Sequence, residues 1–273
     1  MPSKTVMVIS DLHCGHLVGL CPPSRHATLA KSASQSQKKL EKIRQELWRI
    51  FALEVKKVGP VDRLFVLGDT VDGSQRRTNG SELIPGCNDM QDQCDMAAEC
   101  IKFIKAPQVY MVHGTPYHAG QDEDWERYVC RLVQESKYTE KAIIRDHAFV
   151  DINGCMFSLR HKIGGGMPHT RGTQLAKQKM ANLLWSEIGM QPKADIFLRG
   201  HVHAPFSVGD DEYISISCPG LQGVGSKFGA RQCDFPVKWG FTVFNINEEG
   251  GYSWRFVTPK EANKLQKVEV ITA

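Results

Sequence analysis

The feature that most constrains how this chain can fold is a repeated junction, in which a short apolar, β-branched run breaks off at an aspartate or a histidine. Val6 to Ser10 runs into Asp11-Leu12-His13, and Arg63 to Leu67 into Gly68-Asp69. His147 to Arg160 runs into His161, and Ala194 to Leu198 into Arg199-Gly200-His201-Val202-His203. Short apolar runs followed by polar loops read as buried strands. In sheets built from alternating strands and helices, ligands collect outside the carboxyl ends of the strands. The four junctions would therefore deliver two carboxylates and four imidazoles to one sheet edge. A single histidine after a strand is an ordinary loop residue, but four such junctions in one chain are not explained as solvated loops. Residues two apart in an extended segment point the same way. Asp11 with His13, and His201 with His203, are therefore each expected to act as a pair.

Apolar residues at helical spacing, Leu40, Ile43, Leu47, Ile50, Phe51 and Val55, predict a helix over Gln37 to Lys57. Further helices are expected over Asp89 to Lys105, Asp122 to Glu135 and Thr173 to Ile188, with Gln108 to Val112 and Glu212 to Ser217 as strands. Asn153-Gly154 and Glu249-Gly250-Gly251 mark the turns of two hairpins, His147 to Arg160 and Phe241 to Val257. Leu20 to Ser36 and Ile163 to Gly172 read as long loops. Strand and helix alternate in the first half, and hairpins dominate the second. The expected fold class is α/β, a layered α/β/β/α sandwich with two mixed β-sheets flanked by helices. One domain is expected over residues 1–257, followed by a tail, 258–273.

Hydrophobic residues make up 41% and charged residues 23%, the balance of a globular protein, and no apolar run is long enough to cross a bilayer. No basic segment leads into a long apolar one, so a signal peptide is not expected. The nine cysteines are scattered with no CxxC pair. That excludes a zinc knuckle and fits reduced thiols in a cytoplasmic protein. The net charge of +4 is too small for a nucleic-acid-binding tail but admits an anionic substrate.

Imidazole and carboxylate donors together suit zinc, iron, manganese or nickel, and not calcium or magnesium alone. The ordered series Asp11-Leu12-His13, Gly68-Asp69-Thr70-Val71-Asp72-Gly73, a single His161 and Gly200-His201-Val202-His203 resembles the calcineurin-like metallophosphoesterase superfamily. The match runs from residue 5 to about residue 218. The resemblance implies a metal-dependent phosphoesterase. One ion would be held by Asp11, His13, Asp69 and His203, the second by Asp69, His161 and His201. A carboxylate can bridge two cations about 3.5–4 Å apart, which suits Asp69. Asp72 is expected to hold its loop by hydrogen bonds, or to be a simple turn aspartate. The cofactor is expected to be two divalent transition-metal ions, manganese first, with zinc, iron or nickel as alternatives.

The family usually carries Gly-Asn-His-Asp or Gly-Asn-His-Glu after the third strand. Here that place reads His113-Gly114-Thr115-Pro116-Tyr117-His118. Thr115 stands where the metal-binding asparagine would be, as a ligand or a substrate contact. His118 is read as the stand-in for the catalytic histidine, an imidazolium that protonates a departing alkoxide and stabilises phosphoryl charge. The alternatives for His118 are a loop residue or an extra metal ligand, and His16 and His169 are the next candidates for the acid. His113 is expected to pack away from the site, and Cys14 to be a small buried side chain. Arg76 and Arg77 are candidates to clamp a phosphate. A glycine-bearing loop with Lys162, His169 and Arg171 is a candidate to cover the site, and Lys227 and Arg231 mark another flexible basic loop.

The implied chemistry is hydrolysis of a phosphate ester by a two-metal-activated hydroxide. A phosphodiesterase or nuclease comes first. The alternative is a phosphomonoesterase, including a Ser/Thr protein phosphatase, although the arginine which that branch carries after the second aspartate is absent. A different class, a non-catalytic binding subunit on the same scaffold, is the third reading. The expected partner is a phosphate ester, with nucleic acid among the candidates and no membrane; the oligomeric state is open.

Overall fold

The computed structural model describes residues 2–26, 34–76, 79–87, 89–120, 124–163, 170–223 and 237–265. Four parallel strands lie side by side in one sheet: β1 (Lys4–Ile9), β2 (Arg63–Val66), β3 (Gln108–Val112) and β4 (Lys141–Arg145). The second sheet contains β5 (Ala148–Ile152), β6 (Cys155–Arg160), β7 (Ile196–Arg199), β8 (Phe206–Gly209) and β9 (Ile214–Ser217), in the order β5-β6-β7-β9-β8. Its three inner strands are parallel and its outer two antiparallel to their neighbours. The chain then returns to the first sheet, where β10 (Phe241–Ile246) pairs antiparallel with β1 and β11 (Tyr252–Val257) forms the edge.

Period-two alternation decides which face each side chain covers. Val6, Val8, Phe65, Phe244 and Ile246 of the first sheet meet Phe157, Leu159, Ile196, Leu198 and Ile216 of the second in one apolar cluster. Phe65, Phe157 and Phe244 are fully buried there, and each contributes roughly 1.5–3 kcal/mol of burial. Met7, Ile9, Leu64, Val66, Val109 and Met111 point the other way, into a second cluster. That cluster is closed by α1 (Gln35–Val58), α2 (Met90–Lys102) and α4 (Asp124–Gln134), which follows the single-turn α3 (Pro116–Ala119). Helix α5 (Arg171–Glu187) packs on the outer face of the second sheet against β8 and β9. The layers are therefore α/β/β/α with two mixed sheets, as the alternation of elements implied.

Helix starts are set by local chemistry. Ser34 and Gln37 form a reciprocal capping box that starts α1 at Gln35, two residues before the expected start. Asp89 caps α2 through Gln91 N–H at 2.8 Å. The Asn153-Gly154 turn has both residues at positive φ, 56° and 89°, as a tight primed hairpin requires. Two strands were not expected, β4 and β8. Both are edge strands, held by one neighbour's ladder and not by their own apolar pattern. The helix α6 (Lys260–Lys264) is docked on the body: Ala262 is buried, and Asn263 Oδ1 accepts from Trp239 N–H at 2.8 Å.

Candidate metal centre

The loops after β1 and β2 keep running side by side beyond the strands. Asp11 N–H donates to Gly68 O at 3.1 Å, His13 N–H to Asp69 O at 3.0 Å and Cys14 N–H to Thr70 O at 3.0 Å. The loops after β6 and β7 are tied in from the other sheet. Gly200 N–H donates to His161 O at 2.8 Å, and His201 N–H to Asp11 Oδ2 at 3.1 Å. The four junctions thus meet at one edge of the two sheets.

The side chains do not converge for the reason the spacing suggested. Asp11 and His13 are not extended: φ is 54° and 45°, and it is 48° at Asp69, 73° at His201 and 49° at His203. Each lies in the left-handed region that non-glycine residues rarely adopt. The chain curls at these residues, so the pairs converge by a strained turn and not by strand alternation. Strain of this kind costs on the order of 1–3 kcal/mol per residue and persists only where surrounding contacts impose it.

Among the described residues three groups of donor atoms result: Asp11 with His13 and His203, Asp69 with His161 and His201, and His13 with Asp69 and His118. His203 Nε2 lies 3.1 Å from Asp11 Oδ1, and His161 Nε2 lies 3.0 Å from Asp69 Oδ2. His13 and Asp69 each belong to two of the groups, so the group that they share with His118 links the other two. Distant acceptors fix which ring nitrogen faces inward. His161 Nδ1 donates to Leu67 O at 2.5 Å, His118 Nδ1 donates to Asp72 O at 2.7 Å, and His13 Nδ1 lies 2.9 Å from Asp72 Oδ1. Each leaves Nε2 for the centre.

The electrostatics follow from burial and pairing. Burial pushes the Asp11 and Asp69 carboxyls up, but His203 beside the first and His161 beside the second outweigh it. Both carboxyls are held well below the usual carboxylate range. Burial pushes the His161 imidazole down, but Asp69 overrides it and raises it to about 10. The same contest, with Asp11, raises His203. Two buried carboxylates therefore draw positive charge to two places. Asp11 Oδ1 is fully buried and makes no aligned hydrogen bond. Carboxylate and imidazole donors with inward nitrogens and an oxygen in need of a partner fit divalent transition-metal ions.

The remaining candidates sit as follows. Asp72 holds His13, with Gln75 Nε2 on its other oxygen. Thr115 N–H and Oγ1 both donate to Asp69 Oδ1, at 2.6 and 3.1 Å. His118 packs edge-on against His13, ring centroids 4.6 Å apart. His16 is buried, its Nδ1 accepting from Val18 N–H at 3.1 Å. His113 is buried against Glu126, its Nδ1 4.0 Å from Oε2, and Cys14 is buried. Arg76 is exposed. Arg77, the loop segment with His169, the Arg171 side chain, Lys227 and Arg231 lie outside the described residues.

Sequence reasoning missed Glu126 and Gln93. Glu126 is fully buried; Oε1 accepts from Thr70 N–H at 2.9 Å and Oε2 from Gly114 N–H at 2.6 Å. It clamps the Asp69 loop to the Thr115 loop. These loops approach so closely that a Cβ on Gly68 would lie 2.6 Å from Gly114 Cα. Burial, then the nearby Asp69, push the Glu126 carboxyl up. Gln93 Oε1 accepts from Asp72 N–H at 3.1 Å and Gly73 N–H at 2.9 Å, holding the turn that carries Asp72. The signal was present: Glu126 stands in register with Val129, Cys130 and Val133 on the buried stripe of α4. An acidic residue on such a stripe has a buried partner to satisfy.

No protein-family model matches the sequence, and no curated protein matches it. Among solved structures the chain is similar to a single mutant of Vps29 from Entamoeba histolytica, at 14% identity over 93% of this chain and 98% of that one, with a TM-score of 0.44. It is similar to a predicted phosphoesterase from Streptococcus pneumoniae TIGR4, at 13% identity over 94% and 91%, TM-score 0.40. It is also similar to an archaeal phosphodiesterase, at 12% identity over 93% and 99%, TM-score 0.44. The chemistry of the centre is read from its own side chains.

Proposed function

We propose that this chain is a calcineurin-like metallophosphoesterase, a single domain over residues 1–257 that hydrolyses phosphodiesters, with nucleic acid among the candidate substrates. The observation that carries this reading is the pair of carboxylate–imidazole groups, Asp11 with His13 and His203 and Asp69 with His161 and His201, linked through the contact group of His13, Asp69 and His118. Asp11, His13, Asp69 and His203 would hold one divalent ion, and Asp69, His161 and His201 the other, with manganese the first choice. When bound, such ions supply Lewis-acid polarisation of the phosphoryl oxygens and acidify a water toward neutrality.

The chain's own groups supply orientation and a proton. Asp72 orients His13, and Glu126 holds the Asp69 loop. Thr115 braces Asp69 chiefly through Oδ1 and is read as a support for that carboxylate. The His118 ring is fixed through Nδ1, which leaves Nε2 to give its proton to the leaving alkoxide. The eight described cysteines are free and buried; burial first, and then nearby carboxylates, push Cys94 and Cys155 up to about 12, which makes those two poor nucleophiles. Free thiols support a cytoplasmic setting. Among the described residues no helix is long and apolar enough to cross a membrane.

The test begins with metal analysis of the chain purified with manganese. Turnover is then measured on bis(p-nitrophenyl) phosphate, p-nitrophenyl phosphate, and single- and double-stranded DNA, with manganese, zinc or magnesium. About two ions per chain and faster diester than monoester turnover are expected. A monoester preference moves the reading to the phosphomonoesterase alternative. Bound metal with no turnover moves it to the non-catalytic subunit, and no bound metal overturns it.

A further inference from the structure

Helices α2 and α4 begin at the edge of the sandwich that carries the metal-centre loops, because each follows a parallel strand of the first sheet. Between their first turns lies an open cleft of about 570 Å³. Ala119 and Gly120, the two residues after His118, line it. The walls carry Trp125 and Tyr128, both half-buried, and Arg127 and Arg131, both exposed. Among the described lining residues Asp124 is the one carboxylate, against two guanidiniums.

Its parts are held in place. The Arg131 guanidinium lies over the Tyr128 ring, 4.8 Å from its centroid, and the Tyr128 hydroxyl accepts from Gln91 Nε2. A Cβ at Gly120 would lie 3.1 Å from Trp125 Cδ1, and φ there is 88°. The glycine lets the chain turn close against the indole edge. Arg127 and Arg131 are four residues apart on one helix, about 6 Å along its axis. That is close to the spacing of neighbouring phosphates on an extended strand.

Aromatic faces and forked cations are the two elements that bind single strands without sequence preference, one by stacking and the other by pairing with phosphates. A base-paired duplex hides its base faces from an indole, whereas a single strand presents them. We propose that the cleft is a second substrate site. It takes the single-stranded nucleic acid flanking the scissile phosphate, with a base against Trp125 and neighbouring phosphates on Arg127 and Arg131. This rests on the phosphodiesterase reading and narrows its substrate to a single strand.

The test uses the full chain and the double variant Arg127→Ala/Arg131→Ala, both positions exposed, with Trp125→Leu as a separate variant. Binding of a fluorescein-labelled thymidine oligonucleotide is followed by anisotropy in EDTA, so that it does not depend on turnover. The arginine variant is expected to bind about tenfold more weakly. Its plot of log affinity against log salt should flatten by about 1.4, two contacts at about 0.7 each. Trp125→Leu should weaken binding roughly 5- to 150-fold. With manganese, the arginine variant should raise KM for the oligonucleotide and leave bis(p-nitrophenyl) phosphate turnover unchanged. Oligonucleotide affinity and salt slope unchanged in the arginine variant, beside normal turnover of the small diester, would overturn the cleft and leave the phosphodiesterase standing. Variant-sensitive binding in a chain that turns over neither substrate would overturn the phosphodiesterase and leave the cleft standing.

Discussion

The two halves of the candidate metal centre are made of the same residue types but held to different degrees. On one side Asp11 is fully buried and His13 is 4% exposed, with Asp72 holding its ring. His203 meets Asp11 at 3.1 Å. On the other side His161 is equally buried, but the His201 side chain is 37% exposed. Its nearest polar neighbours are His161 at 3.3 Å and Asp69 at 4.0 Å. The first half is preorganised by neighbours that are not themselves ligands. The second ends in an imidazole free to adjust. Supporting contacts of the first kind typically change metal affinity 10–100-fold, so the two ions are expected to bind with unequal strength.

The largest expected effect removes both halves at once. Asp69→Asn should reduce bound manganese toward zero and abolish turnover, while Asp11→Asn should keep the second ion and lose less. Metal content by mass spectrometry of the native protein checks this. Equal metal content and activity in Asp69→Asn and the parent would break the idea that one carboxylate joins the halves.

His118 lies against the tighter half and sharpens the comparison from the chemical side. His118→Ala should cut turnover of an alkyl or nucleotide diester by about 10²–10⁴, the usual size of general acid catalysis. A nitrophenyl diester, whose leaving group departs without a proton, should lose far less. Metal content should stay near that of the parent. If one ion is lost instead, His118 is a third imidazole of the tighter half and not the acid.

Asp72→Ala addresses the tighter half alone. It should weaken the first ion about 10–100-fold and leave the second nearly untouched, read by manganese titration. Equal weakening of both would mean that the halves are not independently supported.

The smallest effect concerns the strand that leads to His161. His147 Nε2 lies 2.9 Å from Ser158 Oγ, and Arg160 donates to Nδ1 at 3.1 Å. Burial, then Arg160, lower its pKa to about 3 from an ordinary 6.5. The unfolded chain therefore takes up this proton first. The stability it preserves is complete above about pH 6.5 and is lost as pH falls toward 3. His13 and His16 are shifted in the same direction, so the readout is a difference. In urea unfolding, His147→Gln should lose less stability than the parent between pH 6.5 and 4. Parallel curves would show that His147 takes no part.

Much of the fold was legible because strands and helices announce themselves locally. Val6 to Ile9 and Ile196 to Leu198 are apolar without interruption, and α1 carries its stripe at helical spacing. The edge strands β4 and β8 were not legible, since a neighbour's ladder makes them strands. The candidate ligands were legible as residue types at strand ends. Their left-handed backbone was not, because φ at Asp11 or His203 is imposed by loops from other parts of the chain.

By itself the sequence determined the central strands and the long helices, the sandwich they form and the donor chemistry at one edge, all of which depend on residue type and near-neighbour spacing. Only the tertiary structure decided the aim of those donors. His161 presents Nε2 because its other nitrogen is taken by Leu67 O, 94 residues away in the chain. The His201 loop is drawn in by Asp11, 190 residues away. Glu126 ties Thr70 to Gly114 from the buried face of a helix. A hydrogen bond needs its partner within about 3 Å and in line, and for groups so far apart in the chain only the folded molecule brings that about.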